Sequence, residues 1–168
     1  MPKQENDAYY LLNTVVRAVN VLDVFMNSEG ELGVTEVARR LGLHKSVTHR
    51  LIATLSELGL LAPGTASGTY RLGVKALELG LSYLRNSPLD RVAQYHLTRL
   101  ADELPDMAFH VAILDNTQII YQKSVAGPQV DRVSATLGRR TQAYCTALGK
   151  VLLAYQSPSA VDTYLASV

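Results

Sequence analysis

The chain has 168 residues, 48% of them hydrophobic and 18% charged, with a formal net charge of +1; this is the balance of an ordinary globular protein with one medium or two small domains. Its single cysteine, Cys145, excludes an internal disulfide and a multi-cysteine zinc site. No segment approaches the roughly 18 consecutive apolar residues of a membrane span, and the start, MPKQENDAYYLLN, lacks the apolar run of a signal peptide. A soluble protein of a reducing cytoplasm is expected, with no membrane partner.

Residues 1–10 show no helical period and read as a loose arm. From Asn13, Val15, Val16, Val19, Val21, Leu22, Val24 and Phe25 form a dense helical stripe that ends near Asn27-Ser28-Glu29-Gly30. Thr35 is the expected N-cap of a short helix through Leu41, with Val37, Ala38 and Leu41 inward and Arg39 and Arg40 outward; Gly42 closes it. A third helix is predicted over about Lys45–Leu58, with Val47, Leu51, Leu55 and Leu58 on its inner face. Helices joined by so tight a glycine-containing turn make a helix-turn-helix. Leu60-Leu61-Ala62 and Thr69-Tyr70-Arg71-Leu72 then flank the turn-rich Pro63–Gly68, giving a hairpin, or wing. Val74 to Asn86 returns to helical spacing and stops at Ser87-Pro88. Beyond it a helix is expected over about Leu89–Leu104, then strands over Met107–Leu114, Gln118–Ser124 and Val130–Thr136, then helices over Thr146–Tyr155 and Ser159–Leu165.

Charge is local where it matters. Between Val37 and Lys75 lie the cations Arg39, Arg40, Lys45, Arg50, Arg71 and Lys75 against one acid, Glu57. A nearly neutral chain that gathers its cations on a helix-turn-helix and wing carries the footprint of phosphate contact. The N-terminal, outward residues of a recognition helix reach base edges, so Lys45, Ser46, Thr48, His49 and Arg50 are the candidate readers. Alternatives stand beside them: Thr48 packing on the second helix, His49 as a solvated surface histidine, and Arg71 paired with an acid. His44 and His49 are five apart and do not share a helical face as metal ligands at i and i+4 would. Cys145 with His110 or His96 offers an imaginable nucleophile and base, but no third group to orient them, so no catalytic site, metal or cofactor is expected.

The run Thr35-Glu36-Val37-Ala38-Arg39-Arg40-Leu41-Gly42-Leu43-His44-Lys45-Ser46-Val47-Thr48-His49-Arg50-Leu51, with Leu58-Gly59-Leu60 and Tyr70-Arg71-Leu72-Gly73 after it, resembles the DNA-binding domain of IclR-type transcriptional regulators. A second stretch, Gly138-Arg139-Arg140 leading into Tyr144-Cys145-Thr146-Ala147-Leu148-Gly149-Lys150-Val151-Leu152-Leu153-Ala154, is similar to the signature of the same family's effector-binding domain. Two motifs in the right order and separation are far more specific than either alone. The resemblance implies an α+β chain: a winged helix-turn-helix over residues 1–73, a linker helix over 74–88, and over 89–168 the first half of an effector-binding domain of the GAF/PAS kind, built on an antiparallel sheet.

It also implies a function. The DNA-facing set becomes Thr35, Lys45, Ser46, Thr48, His49, Arg50, Tyr70 and Arg71, and the partner is double-stranded DNA carrying a pseudo-palindromic operator. The chain would act as a homodimer or dimer of dimers, as a repressor more than an activator. Carried over by motif position, a pocket for a small organic acid or aromatic metabolite would be lined by Val130, Val133, Thr141, Ala147 and Leu148. Plain core packing for the two valines and an ordinary helix start for the others remain equally open. N–H groups at a helix N-terminus, here around Ala147 and Leu148, favour a carboxylate. Relatives commonly carry Pro and His in the loop before the signature where this chain has Gln142 and Tyr144, so effector preference does not transfer. The family's sensing domain is usually about as long as this whole chain, so an unpaired sheet edge is expected in the half present here. A helix-turn-helix retained without use is the competing expectation, and salt dependence of DNA binding separates the two.

Overall fold

The computed structural model describes residues 11–130 and 137–168, which pack as two compact units, one ending at Tyr83 and the other beginning at Leu84. The first holds α1 (Asn13–Met26), β1 (Leu32–Gly33), α2 (Val34–Leu41), α3 (Lys45–Glu57), β2 (Leu61–Pro63), β3 (Thr69–Leu72) and most of α4 (Val74–Asn86). Its core joins Val21 and Phe25 of α1, Val37 of α2, Leu51, Ile52 and Leu55 of α3, and Leu61 of β2. Val21 and Phe25 on α1 are four apart, as are Leu51 and Leu55 on α3 with Ile52 beside them, so one face of each of these helices is withdrawn from water. The predicted stripe on α1 is only half used: Val15 and Val19 remain exposed.

Gly42 closes α2 at φ 63, a left-handed conformation that costs glycine nothing, and the Leu43 N–H reaches back to the Ala38 carbonyl at 3.0 Å. The other end of α2 departs from expectation. Leu32 and Gly33 pair with Tyr70 and Thr69 as a two-residue strand, so extended backbone runs up to Gly33, which takes the N-cap position without a side-chain bond. Thr35 is therefore not the cap; it lies exposed in the first turn of the helix. β1, β3 and β2 form an antiparallel sheet in that order, with Leu61 opposite Leu72 and Pro63 opposite Tyr70.

The second unit holds α5 (Pro88–Glu103), β4 (Ala108–Asp115), β5 (Gln118–Ala126), β6 (Arg140–Gln142), a 3-10 turn (Ala143–Cys145), α6 (Ala147–Ala154) and α7 (Pro158–Leu165). Ser87-Pro88 ends one helix and begins the next: Ser87 caps α5, its hydroxyl accepting from the Asp90 N–H at 3.4 Å. The strands run antiparallel in the order β4-β5-β6. Ala112, Leu114, Ile119 and Tyr121 pack under α6 and α7 against Leu148, Leu152, Leu153 and buried Tyr164. α5 packs across β4 and β5, with Ala93, Leu97 and Ala101 buried at helical spacing.

The register slips once. Val111 faces Lys123 and Ala112 faces Tyr121, leaving Gln122 as an extra residue on β5, a bulge. β6 had no counterpart among the expected elements. The third predicted strand, Val130–Thr136, falls almost wholly outside the described residues; Val130 itself lies in the turn after β5, its N–H on the Gly127 carbonyl at 3.1 Å. Among the described residues no helix is long and apolar enough to cross a membrane.

Candidate nucleic-acid interface

α3 presents two unlike faces. Thr48, Leu51, Ile52 and Leu55 are buried, while Lys45, Ser46, His49, Arg50 and Ala53 are exposed. The inner stripe is wider than the predicted one: Thr48 and Ile52 join Leu51 and Leu55, Val47 packs half-buried against the same core, and Leu58 drops out, 61% exposed. Thr48 is fully buried, and its hydroxyl donates to the His44 carbonyl at 3.2 Å. A threonine that bonds back to the preceding turn hides its polarity, so Thr48 is removed from the candidate surface. The first turns of α3 thus put Lys45, Ser46, His49 and Arg50 on one side.

The cations also divide. Arg39 is bound to Glu36 through Nε (2.9 Å) and Nη2 (2.7 Å); Arg40 gives Nε to the same carboxylate at 2.7 Å and Nη1 to Ser28 Oγ at 2.8 Å. Those bonds hold the Glu36 carboxyl down to about 2 and raise Arg39 above its usual range. Glu36 lies one residue outside the basic window, at the helical i to i+3 and i+4 spacing that brings side chains together. Lys75 pairs with Glu78 at 2.9 Å. Lys45, Arg50 and Arg71 are the cations of this region without an ion pair among the described residues. Arg71 is exposed on β3, opposite Ala62, whereas Tyr70 is half-buried and packed against the core.

The wing is held by a residue that sequence reasoning passed over. The Glu31 carboxylate accepts from the N–H of Thr65 at 2.7 and 2.8 Å, from the N–H of Ala66 at 3.3 Å and from the Thr69 hydroxyl at 2.7 Å. Three donors converge on one anion, and the Thr69 hydroxyl leads in holding its carboxyl down to about 2. Glu31 and Thr65 are 34 residues apart, so no local pattern announces the contact. The charged form is favoured by folding. Its contribution is complete above about pH 4.5 and fades as the pH falls toward 2. Glu31→Gln is expected to lower amide protection at Thr65 and Ala66 at neutral pH, and acid to lower the same protection factors, taken relative to the intrinsic exchange rate at each pH, in the parent protein. Protection unchanged in the variant would refute the clamp.

The second unit carries the proposed effector residues, and the structure separates them. Thr141 on β6 is paired with buried Ile119 near the start of β5, and Leu148 packs into the same cluster. Ala147, exposed, opens α6. Val130 follows the other end of β5, roughly 20 Å away at the rise of a strand, and Val133 lies outside the described residues. Thr146 caps α6, its hydroxyl accepting from the Gly149 N–H at 3.0 Å. The Cys145 thiol donates to the Gln142 carbonyl at 3.1 Å, while His110 Nδ1 is 2.8 Å from the Ser124 hydroxyl; the imagined Cys–His pair does not form. Burial depresses the His110 pKa. Among the described residues no group of three His, Cys, Asp or Glu side chains gathers around a metal-sized site.

Comparison with known proteins places this geometry. Residues 14–63 match the IclR helix-turn-helix domain, and residues 81–168 match the bacterial transcriptional regulator IclR C-terminal domain. The chain is 32% identical to the HTH-type transcriptional regulator KdgR of Escherichia coli, over 94% of this chain and 59% of that protein. It is 28% identical to the acetate operon repressor of Salmonella typhimurium, over 92% of this chain and 58% of that protein. A crystal structure of an IclR family transcriptional regulator from Brucella abortus superimposes with a TM-score of 0.79 at 27% identity, covering 99% of this chain and 63% of that one. The chain spans about 60% of the length of the curated relatives it matches. Those relatives are transcriptional regulators, not enzymes.

Proposed function

Because the chain belongs to the IclR family of bacterial transcriptional regulators, we propose that it is a sequence-specific DNA-binding repressor of the cytoplasm whose operator affinity is set by a small-molecule effector. The observation that carries the proposal is the outer side of α3: Lys45, Ser46, His49 and Arg50 are exposed together at the start of a helix whose other side is buried. Helix-turn-helix proteins insert that part of the second helix into the major groove. Arg71 on the wing and Thr35 at the start of α2 would meet the flanking backbone, and Tyr70 would support the wing from beneath. By this assignment residues 1–73 bind DNA, 74–88 link, and 89–168 sense.

A homodimer, or dimer of dimers, on a pseudo-palindromic operator follows from the need to cover two half-sites. No residue of α4 is buried, and Val74, Leu77, Leu79 and Leu81 are all exposed on it; a second copy of the same helix is the partner such a surface suits. The effector is an organic acid or aromatic metabolite seated beside Thr141 and Leu148. The first-turn N–H groups of α6 at Ala147 and Leu148 would receive its carboxylate.

The test is fluorescence anisotropy on the protein's own upstream DNA against a scrambled duplex, at several salt concentrations. Preference for the upstream DNA and a steep fall with salt are expected, since each phosphate contact releases counterions. Equal, salt-insensitive affinities would identify a helix-turn-helix that is not used. Within that experiment, Lys45→Ala should weaken operator and scrambled DNA alike and flatten the log–log salt slope by about 0.9 if Lys45 meets one phosphate. A selective loss of operator binding would instead make Lys45 a base reader.

A further inference from the structure

The bulge in β5 sets two neighbouring side chains to an unusual use. Alternation would send Gln122 and Lys123 to opposite faces of the sheet, but the extra residue lets both reach the start of α5. Gln122 Nε2 donates to the Ser87 hydroxyl at 3.0 Å, and Lys123 Nζ meets Asp90 Oδ1 at 2.8 Å. Ser87 and Asp90 are the capping pair of α5, and Ser87 is the one residue between α4 and α5. The ion pair is sheltered, with side-chain exposures of 17% and 23%. Gln122 is 7% exposed, and its Oε1 has no hydrogen-bond partner among the described residues. A buried acceptor left unpaired costs stability, so packing alone would favour an apolar side chain there.

The residue before the bulge looks the other way. Tyr121 packs under α6, and its ring lies edge-on to His110 with centroids 5.8 Å apart. Its backbone accepts from the Gly138 N–H at 2.8 Å and donates to the Arg139 carbonyl at 3.2 Å, in the stretch leading to β6. Three consecutive residues therefore connect the face assigned to the effector with the residue on which the linker ends.

We propose that the β5 bulge is a coupling joint, in which Gln122 and Lys123 are positioning residues that fix Ser87 and Asp90, so that a ligand displacing Tyr121 alters the hold on the linker. The proposal rests on the regulator function given above. With the linker end fixed, each DNA-binding unit of a dimer is held for its half-site; with it loose, operator binding loses its geometric advantage while contact with random phosphates survives.

Gln122→Met in the full chain separates this role from packing. It fills the site, removes the unpaired acceptor and keeps the charge. The expected result is a melting temperature equal to or above that of the parent, amide exchange at Ser87, Leu89 and Asp90 faster by about 2- to 10-fold, the worth of one hydrogen bond, and a comparable fall in operator preference with scrambled-DNA affinity unchanged. A lower melting temperature, or undiminished operator preference, would overturn the joint. Lys123→Asp should likewise lose operator preference, and adding Asp90→Lys should restore it; a swap without rescue also counts against the proposal. If the parent itself shows no operator preference, the regulator function fails, and exchange at Ser87, Leu89 and Asp90 in the two variants still decides whether these residues hold the joint.

Discussion

Arg50→Ala is expected to lower operator affinity by roughly 1–3 kcal/mol, about 5- to 150-fold, while leaving affinity for scrambled DNA within a few-fold of the parent. Arg50 is exposed on the outer side of α3, and no acid among the described residues holds its guanidinium. Arg39 and Arg40 differ, since Glu36 already occupies both. A free guanidinium at the beginning of a recognition helix suits bidentate contact with guanine, and alanine forfeits that contact without disturbing the buried side at Leu51, Ile52 and Leu55. Arg50→Lys should recover little, because an ammonium does not reproduce the planar fork. Anisotropy titrations of the three proteins on both duplexes measure the effect; an Arg50→Ala curve overlying the parent's on operator DNA would take Arg50 out of the interface.

Gly149→Ala should cost the second unit at least about 1–3 kcal/mol, the range for overfilling a packed site. A Cβ at this position would collide with the Ala143 carbonyl and lie 2.6 Å from the Ala143 Cα. These are backbone atoms, which cannot swing aside as the end of a long side chain does. Ala143 is itself fully buried, its N–H bonded to the Thr117 carbonyl at 3.1 Å, and the next N–H, of Tyr144, donates to the hydroxyl of buried Tyr164 at 3.0 Å. Relief must come from moving α6 away from the 3-10 turn, which disturbs Thr141 and Leu148 together. Thermal melting tests this, and a variant as stable as the parent would refute the close packing of the turn on α6.

How legible the chain was depends on the distance over which each feature is determined. α1, α2, α3 and α4 follow from apolar spacing and from glycine or, for α4, Ser-Pro stops within or just past a single element, and the structure returns them within a residue or two. β1 and β6, of two and three residues, are too short to show a period. Thr48 misled by type: it is polar, but its hydroxyl is satisfied inside its own helix, leaving a methyl group for the core. Glu36 was readable from i to i+3 and i+4 spacing; Glu31 was not, because its partners assemble only when the wing folds back. Among the effector candidates, Thr141 and Leu148 converge because a short motif sets both β6 and the start of α6, while Val130 is carried to the far end of a nine-residue strand.

The linker helix carries a consequence in mass action. α4 has thirteen residues, none of them buried, and a helix of that length is marginal in water without packing to support it. Its helicity must then be completed by whatever covers Leu77 and Leu81, and if the cover is a second copy, completing the helix is a bimolecular step. Dilution would unwind the linker before it unfolds either unit, so helix content should rise with protein concentration and saturate as dimers form. Operator occupancy would in turn climb more steeply than in proportion to the amount of protein, giving the promoter a threshold set by the cell's own supply of this chain.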